Sequence, residues 1–275
     1  MLIRLGHSPD PDDAFMFWAL ACGEIDKRGY EFEHVPRDIP VLNAWALDAR
    51  LELTTISLHA YPFVQDDYVM LPHGATMGTG FGPVVVSRQP LSLERLREVE
   101  IVVPGKLTTA FLVLRMLLGE FRSREVNGHE ILEEVRAGRA EAGLVTDVSQ
   151  LTYAGAGLAK SLDIGEWWLL ETGLPLPLTV NVARRDLDPE VLQDISEILH
   201  ESIQAGLNNR RRAIAYAMRF GRGESTAMAD RMVGMYVNEL ACDWGDEGRQ
   251  AIEELLQRAE AIGAFTEPVR LEFVP

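Results

Sequence analysis

The chain has 275 residues, 47% hydrophobic and 25% charged, which is the composition of a globular protein large enough for one big domain or two ordinary lobes. A formal net charge of −16 excludes nucleic acid and anionic membrane as expected partners, because counterion release needs Lys and Arg on the binding face. No run reaches the roughly 18 apolar residues that cross a bilayer, and no basic and apolar leader precedes the opening strand, so a cytoplasmic location is expected.

In chain order, Met1–Leu5 reads as a strand and Ala14–Ala21 as a helix. Between them lies Gly6-His7-Ser8-Pro9-Asp10-Pro11-Asp12-Asp13. Its prolines stiffen the turn, and Ser8, Asp10, Asp12 and Asp13 all supply N-cap chemistry. A strand, a stiff polar turn and a helix start is where α/β proteins place ligands; a well-capped turn and nothing more is the plainer reading. Tyr30–Val35 is a strand, Ile39–Arg50 an amphipathic helix, and Leu53–Ser57 a β-branched run suited to a buried parallel strand. Ser57 and His59 follow it. Ala60–Val64 is read as a short helix and Tyr68–Leu71 as another strand.

The glycine-rich stretch from Gly74 to Pro83 lacks the GxxxxGK[ST] pattern and a following helix, so conformational freedom in a crossing segment is the better account than a phosphate loop. The crossing itself is placed at Val84–Ser87. Then come a helix at Leu93–Arg97, a strand at Ile101–Val103, the turn Pro104–Thr109, a helix at Ala110–Gly119, a helix at Glu130–Ala137 and a strand at Ala142–Val145. Thr179–Ala183 is the expected return strand, and three helices close the chain at Pro189–Arg212, Thr226–Val237 and Asp246–Ile262. This order predicts an α/β fold that goes out once and comes back once, with lobe one at 1–85 plus 184–275 and lobe two at 86–183.

Thr108-Thr109 after Gly105 is the best local anion site, since a helix start leaves backbone N–H groups without intrahelical acceptors; the plain alternative is a capping threonine. His7 and His59 follow strands of lobe one and are candidates to share its cleft, against structural roles. Asp147, after the Ala142–Val145 strand, either acts as a base once burial raises its pKa or caps the next turn. Trp167-Trp168 is read as core. Cys22 and Cys242 are expected as buried free thiols. No metal-ligand spacing and no dinucleotide fingerprint occurs in the sequence, so neither a metal nor a cofactor is expected.

The opening Ser8-Pro9-Asp10-Pro11-Asp12-Asp13-Ala14-Phe15 resembles the SPCPNDTF-type start of the 1,4-dihydroxy-6-naphthoate synthase family, in the futalosine route to menaquinone. The resemblance continues through Leu42–Leu47, Gly80–Val86, Pro104–Ala110, Glu141–Leu144, Thr172–Leu178 and Tyr236–Asn238, in order along almost the whole chain. It implies a two-lobed fold like that of type II periplasmic binding proteins. It also implies a cleft that cleaves cyclic dehypoxanthinyl futalosine to 1,4-dihydroxy-6-naphthoate without a cofactor, which is a carbon–carbon lyase activity. By the same resemblance Thr108 and Thr109 hold the substrate carboxylate, and Ser8 and Ser57 belong to its site; Asp10 is expected to line the same cleft and Leu176, in the apolar Leu174–Leu178 segment, to wall it. The family's general base is a histidine after the AG(L/V) strand, where Asp147 stands here; Asp10 and Asp12 replace a cysteine and an asparagine of the opening motif. Three expectations stay open: Asp147 is the base, the base has moved to His59 or His7, or a carboxylate ligand is bound without turnover. Chorismate dehydration, carried out on the same fold, is a further alternative.

Overall fold

The computed structural model describes residues 1–274 and contains two mixed β-sheets flanked by helices. The first sheet holds β1 (Leu2–His7), β2 (Glu31–Pro36), β3 (Leu53–Ser57), β4 (Tyr68–Met70) and β5 (Thr76–Gly78). The second holds β6 (Val84–Ser87), β7 (Glu100–Val103), β8 (Arg122–Glu125), β9 (Ala142–Val145) and β10 (Ala159–Asp163). The last strand, β11 (Leu176–Arg184), returns to the first sheet. The orders are β2-β1-β3-β11-β4, with β5 also on β11, and β10-β6-β9-β7-β8. The chain therefore crosses at residues 79–83 and again at 173–175; Val84–Ser87, expected as the first crossing, is instead a strand within the second sheet, paired with β9 and β10.

The central strands are those whose sequences are apolar or β-branched throughout. β3 is buried at all five positions, between parallel β1 and antiparallel β11, and β6 is buried at all four, between β9 and β10. Three strands escape the sequence reading. β8 is an edge strand of sequence Arg-Ser-Arg-Glu, charged as edges tend to be and thus without an apolar pattern. β10 is a second edge, and β5 is only three residues long. The expected helix at Ala14–Ala21 is two short helices, Pro11–Met16 and Trp18–Cys22, and the expected Pro189–Arg212 helix ends at Asn208 before a new one, Arg210–Ala217.

The glycines of the first crossing serve close approach more than freedom. A Cβ at Gly78 would stand 2.2 Å from the Phe81 carbonyl oxygen, and one at Gly165 would stand 2.0 Å from the same atom. Within the Gly74–Pro83 stretch, Gly74 and Gly80 take a left-handed backbone, at φ +77° and +75°. Three apolar clusters cover the sheets. The largest runs from β3 and β11 through the helix Thr109–Leu118 to the helix Gly245–Ala261, so the space behind the cleft is sealed by side chains from both sheets. A second lies between the first sheet and the carboxy-terminal helices. Cys242 is a buried free thiol as expected, whereas Cys22 is exposed, because the helix carrying it ends there at Gly23.

Candidate active site

A cavity of about 420 Å³ lies between the two sheets. Its wall is built at the carboxyl ends of parallel strands, where open α/β sheets bind ligands. β1 delivers Ser8, Asp10, Asp12 and Asp13; β2 delivers Asp38; β3 delivers Ser57. From the second sheet, β7 delivers Pro104 and Thr108–Ala110, β8 delivers Asn127–His129, and β9 delivers Thr146 and Asp147. Thr76, Leu178 and Thr179 form the floor, and Met232 and Tyr236 come from the helix Thr226–Tyr236.

Thr108 is the N-cap of the helix Thr109–Leu118. Its hydroxyl donates to the Gly105 carbonyl at 2.7 Å and accepts the Phe111 N–H at 3.2 Å. The Thr109 hydroxyl donates to the Leu178 carbonyl at 2.6 Å and accepts the His59 N–H at 3.2 Å. Both hydroxyls are thus engaged in holding the helix start in place. What the turn offers to the cavity is backbone: the Thr109 and Ala110 N–H groups at the first two helical positions, with the positive end of the helix dipole behind them.

Ser57 is held from the other sheet. Its N–H donates to Asn43 Oδ1 at 2.8 Å, and Asn43 Nδ2 donates to Ser57 Oγ at 3.0 Å, which leaves the hydroxyl proton free to point at a guest. The buried Asn43 was not among the expected site residues; its only sequence signal is its place in the Leu42–Leu47 match.

Among the described residues, six carboxylates line the cavity, Asp10, Asp12, Asp13, Asp38, Glu125 and Asp147, and no Lys or Arg does. Burial pushes the Asp10 and Asp12 carboxyls up to about 8 and Asp13 to about 7, and their mutual repulsion adds to each. Asp13 is anchored by the Ser8 N–H at 3.1 Å. Asp12 Oδ1 and Thr179 Oγ1 are buried without a hydrogen-bond partner among the described residues, so the wall carries polar atoms that a polar guest would satisfy.

Asp147 is buried. That alone raises its pKa, but hydrogen bonds from His129, 3.1 Å away, and from the Ser149 N–H at 2.9 Å outweigh burial and bring it below the ordinary carboxylate value. His129 is the residue the sequence reading missed. It sits in a short turn after β8, with its N–H donating to Asn127 Oδ1 at 3.1 Å. Reading Arg122–Glu125 as a strand would have placed its histidine at a strand's carboxyl end.

The structure brings Ser8, Asp10, Ser57, Thr108, Thr109 and Asp147 together and keeps three expected residues out. His7 is fully buried on the opposite side of its loop, stacked on Phe17 at 5.0 Å, with Nδ1 donating to the Ser8 carbonyl at 2.7 Å; burial lowers its pKa to about 4. His59 lies behind the Thr108 turn, its Nδ1 3.3 Å from the Thr108 carbonyl, and burial lowers it also to about 4. Leu176 is fully buried in the apolar cluster, since a bulge between Pro177 and Thr179 turns Leu178 and Thr179 to the cavity instead. Trp168 is core as expected, donating to the Pro175 carbonyl at 3.1 Å.

The family model described as menaquinone biosynthesis matches residues 3–261. A curated 1,4-dihydroxy-6-naphthoate synthase from Thermus thermophilus is 40% identical over 99% of both chains. One from Streptomyces coelicolor is 34% identical over 95% of this chain and 94% of its own. A structural-genomics protein from Archaeoglobus fulgidus superposes with a TM-score of 0.92 at 40% identity, covering 96% of this chain and 98% of that one. The alkanesulfonate-binding protein of Xanthomonas axonopodis pv. citri superposes at 0.73 and 11% identity, covering 97% of this chain and 94% of that one, and shows the shared periplasmic-binding-protein fold alone. Matched along nearly its whole length by the family model and by two curated synthases, the chain belongs to the menaquinone-biosynthesis family.

Proposed function

We propose that the chain carries out the 1,4-dihydroxy-6-naphthoate synthase step of menaquinone biosynthesis, as a carbon–carbon lyase acting on cyclic dehypoxanthinyl futalosine. The observation that supports this best is the cavity between the sheets, whose wall pairs free helix-start N–H groups at Thr109 and Ala110 with the Ser57 hydroxyl. These donors suit the substrate carboxylate. They are the site's means of holding it, since no Lys or Arg lines the wall among the described residues.

Asp10 and Asp12 face the remainder of the substrate. Carboxyls whose ionisation is disfavoured accept or donate hydrogen bonds to hydroxyls and would repel a second anion. The far end of the substrate is therefore neutral and hydroxylated. Thr108 and Thr109 act here through the helix start that their hydroxyls fix, and His59 supports them from behind. Approach of the two sheets over a bound substrate would exclude water from the reacting bond. A cytoplasmic location fits a biosynthetic enzyme of this kind.

Incubating the purified protein with cyclic dehypoxanthinyl futalosine and following 1,4-dihydroxy-6-naphthoate by chromatography tests the proposal. Product should form without added cofactor. Tight binding of the substrate with no product would reject turnover and favour a carboxylate-binding relative.

A further inference from the structure

At the mouth of the cavity one polar cluster joins the two sheets. His129 and Asp147 follow β8 and β9 of the second sheet, Asp38 follows β2 of the first, and Arg222 lies in the segment ahead of the helix Thr226–Tyr236. His129 Nδ1 lies 3.1 Å from Asp147 Oδ2 and 2.9 Å from Arg222 Nη1. These contacts demand opposite states of that nitrogen. A protonated Nδ1 donates to the carboxylate, whereas a bare one accepts from the guanidinium, which always keeps its protons.

The surroundings decide between them. Asp147 is buried, acceptor-only when ionised, and held by Ser149. Arg222 is 42% exposed and already donates to Asp38 at 2.7 Å. Asp147 is therefore the stronger partner, and the hydrogen bond with it is the largest influence on His129, raising its pKa against the opposing effects of burial and Arg222. With Nδ1–H committed to Asp147, the lone pair is on Nε2. The nearest carboxylate oxygen to Nε2 is that of Asp38, at 3.5 Å, too far for a full hydrogen bond but close enough to favour an imidazolium once formed.

Resting on the synthase reading above, we propose that His129 moves the proton in this site, with Asp147 as the positioning carboxylate that sets its tautomer through Nδ1. In the step, Nε2 takes a proton from the substrate, and the electron pair left behind forms the new double bond. The pair of the broken carbon–carbon bond leaves with the departing fragment, which takes the proton back from the imidazolium. The step is redox-neutral and needs no external acid. Asp147 alone is the poorer base, because its pKa is held below the ordinary carboxylate value while that of His129 is raised above the ordinary imidazole value.

The test compares wild type, His129→Gln and Asp147→Asn on cyclic dehypoxanthinyl futalosine across pH 5–9, with product affinity measured by calorimetry on each. His129→Gln should lower kcat about 10²- to 10⁴-fold, leave product affinity and KM within about threefold, and regain part of its activity when imidazole is added. Asp147→Asn should lower kcat less and shift its pH transition to lower pH. Wild-type kcat in His129→Gln, or equal loss of product binding and activity with no rescue by imidazole, would overturn the assignment and make His129 a tie between the sheets. No product from wild type would overturn the synthase reading itself, and the assignment with it.

Discussion

Asp12 shows what a single side chain in this cavity has to reconcile. It is buried, one of its oxygens lacks a partner, and its neighbours Asp13 and Asp147 carry the same charge. With its folded pKa raised to about 8, the stability it contributes is fully present below the ordinary carboxylate pKa near 3.8 and is lost as pH rises through about 8. His7 and His59 act in the reverse direction: their pKa values, lowered to about 4 by burial, give stability that is present above 6.5 and lost as pH falls through about 4. Asp12→Asn should therefore raise Tm at pH 8 by about 2–4 °C more than it does at pH 4, the equivalent of about 1 kcal/mol. Thermal unfolding at both pH values checks this, and an equal shift at both would contradict it. The same ionisation makes the cavity more repulsive to a carboxylate. KM for cyclic dehypoxanthinyl futalosine should rise between pH 7 and 9 in wild type and rise less in Asp12→Asn.

At the scale of the element, the helix Thr109–Leu118 combines packing and function. Its interior positions are apolar and mostly buried, so the cluster they enter fixes the helix axis, while the first turn faces the cavity. The approach of the Pro104–Thr108 turn to the helix Ile39–Ala46 depends on Gly105, where a Cβ would stand 3.1 Å from Pro40 Cβ. Replacing the N-cap, Thr108→Ala, should cost about 1 kcal/mol of stability, seen as a lower denaturation midpoint, and should weaken product binding as the N–H groups lose their fixed direction. Thr108→Ser, which restores the capping oxygen, should recover both. If Thr108→Ala binds product as tightly as wild type, the helix start does not hold the carboxylate.

The whole molecule is tied across its cleft at several points. The Tyr236 hydroxyl donates to Gln150 Oε1 at 2.9 Å, Asn43 Nδ2 reaches the Leu107 carbonyl at 3.4 Å, and Arg222 meets His129. The apolar cluster behind the cavity is continuous between the sheets. A ligand gripping both walls adds to these ties, so 1,4-dihydroxy-6-naphthoate at about 100 times its Kd should stabilise the protein by about 2.7 kcal/mol. A thermal-shift titration measures this, and a Tm that does not respond to product would argue against a site between the sheets.

From the sequence alone came the alternation of strands and helices, the single excursion and return of the chain, the capped helix at Thr108 and the family's sequence marks. These depend on local pattern: β-branched runs, turn residues and capping hydroxyls carry their meaning within a few positions. The direction of His7 and His59 was decided by packing, because a side chain at a strand end turns to whichever apolar layer the far segments supply; for His7 these are Phe17 and Phe220. The meeting of His129 with Asp147 was decided the same way, by two strands separated by β7 in the sheet order, β8 and β9. No local pattern encodes a contact between the loops of two strands, since strand order exists only once the chain has folded.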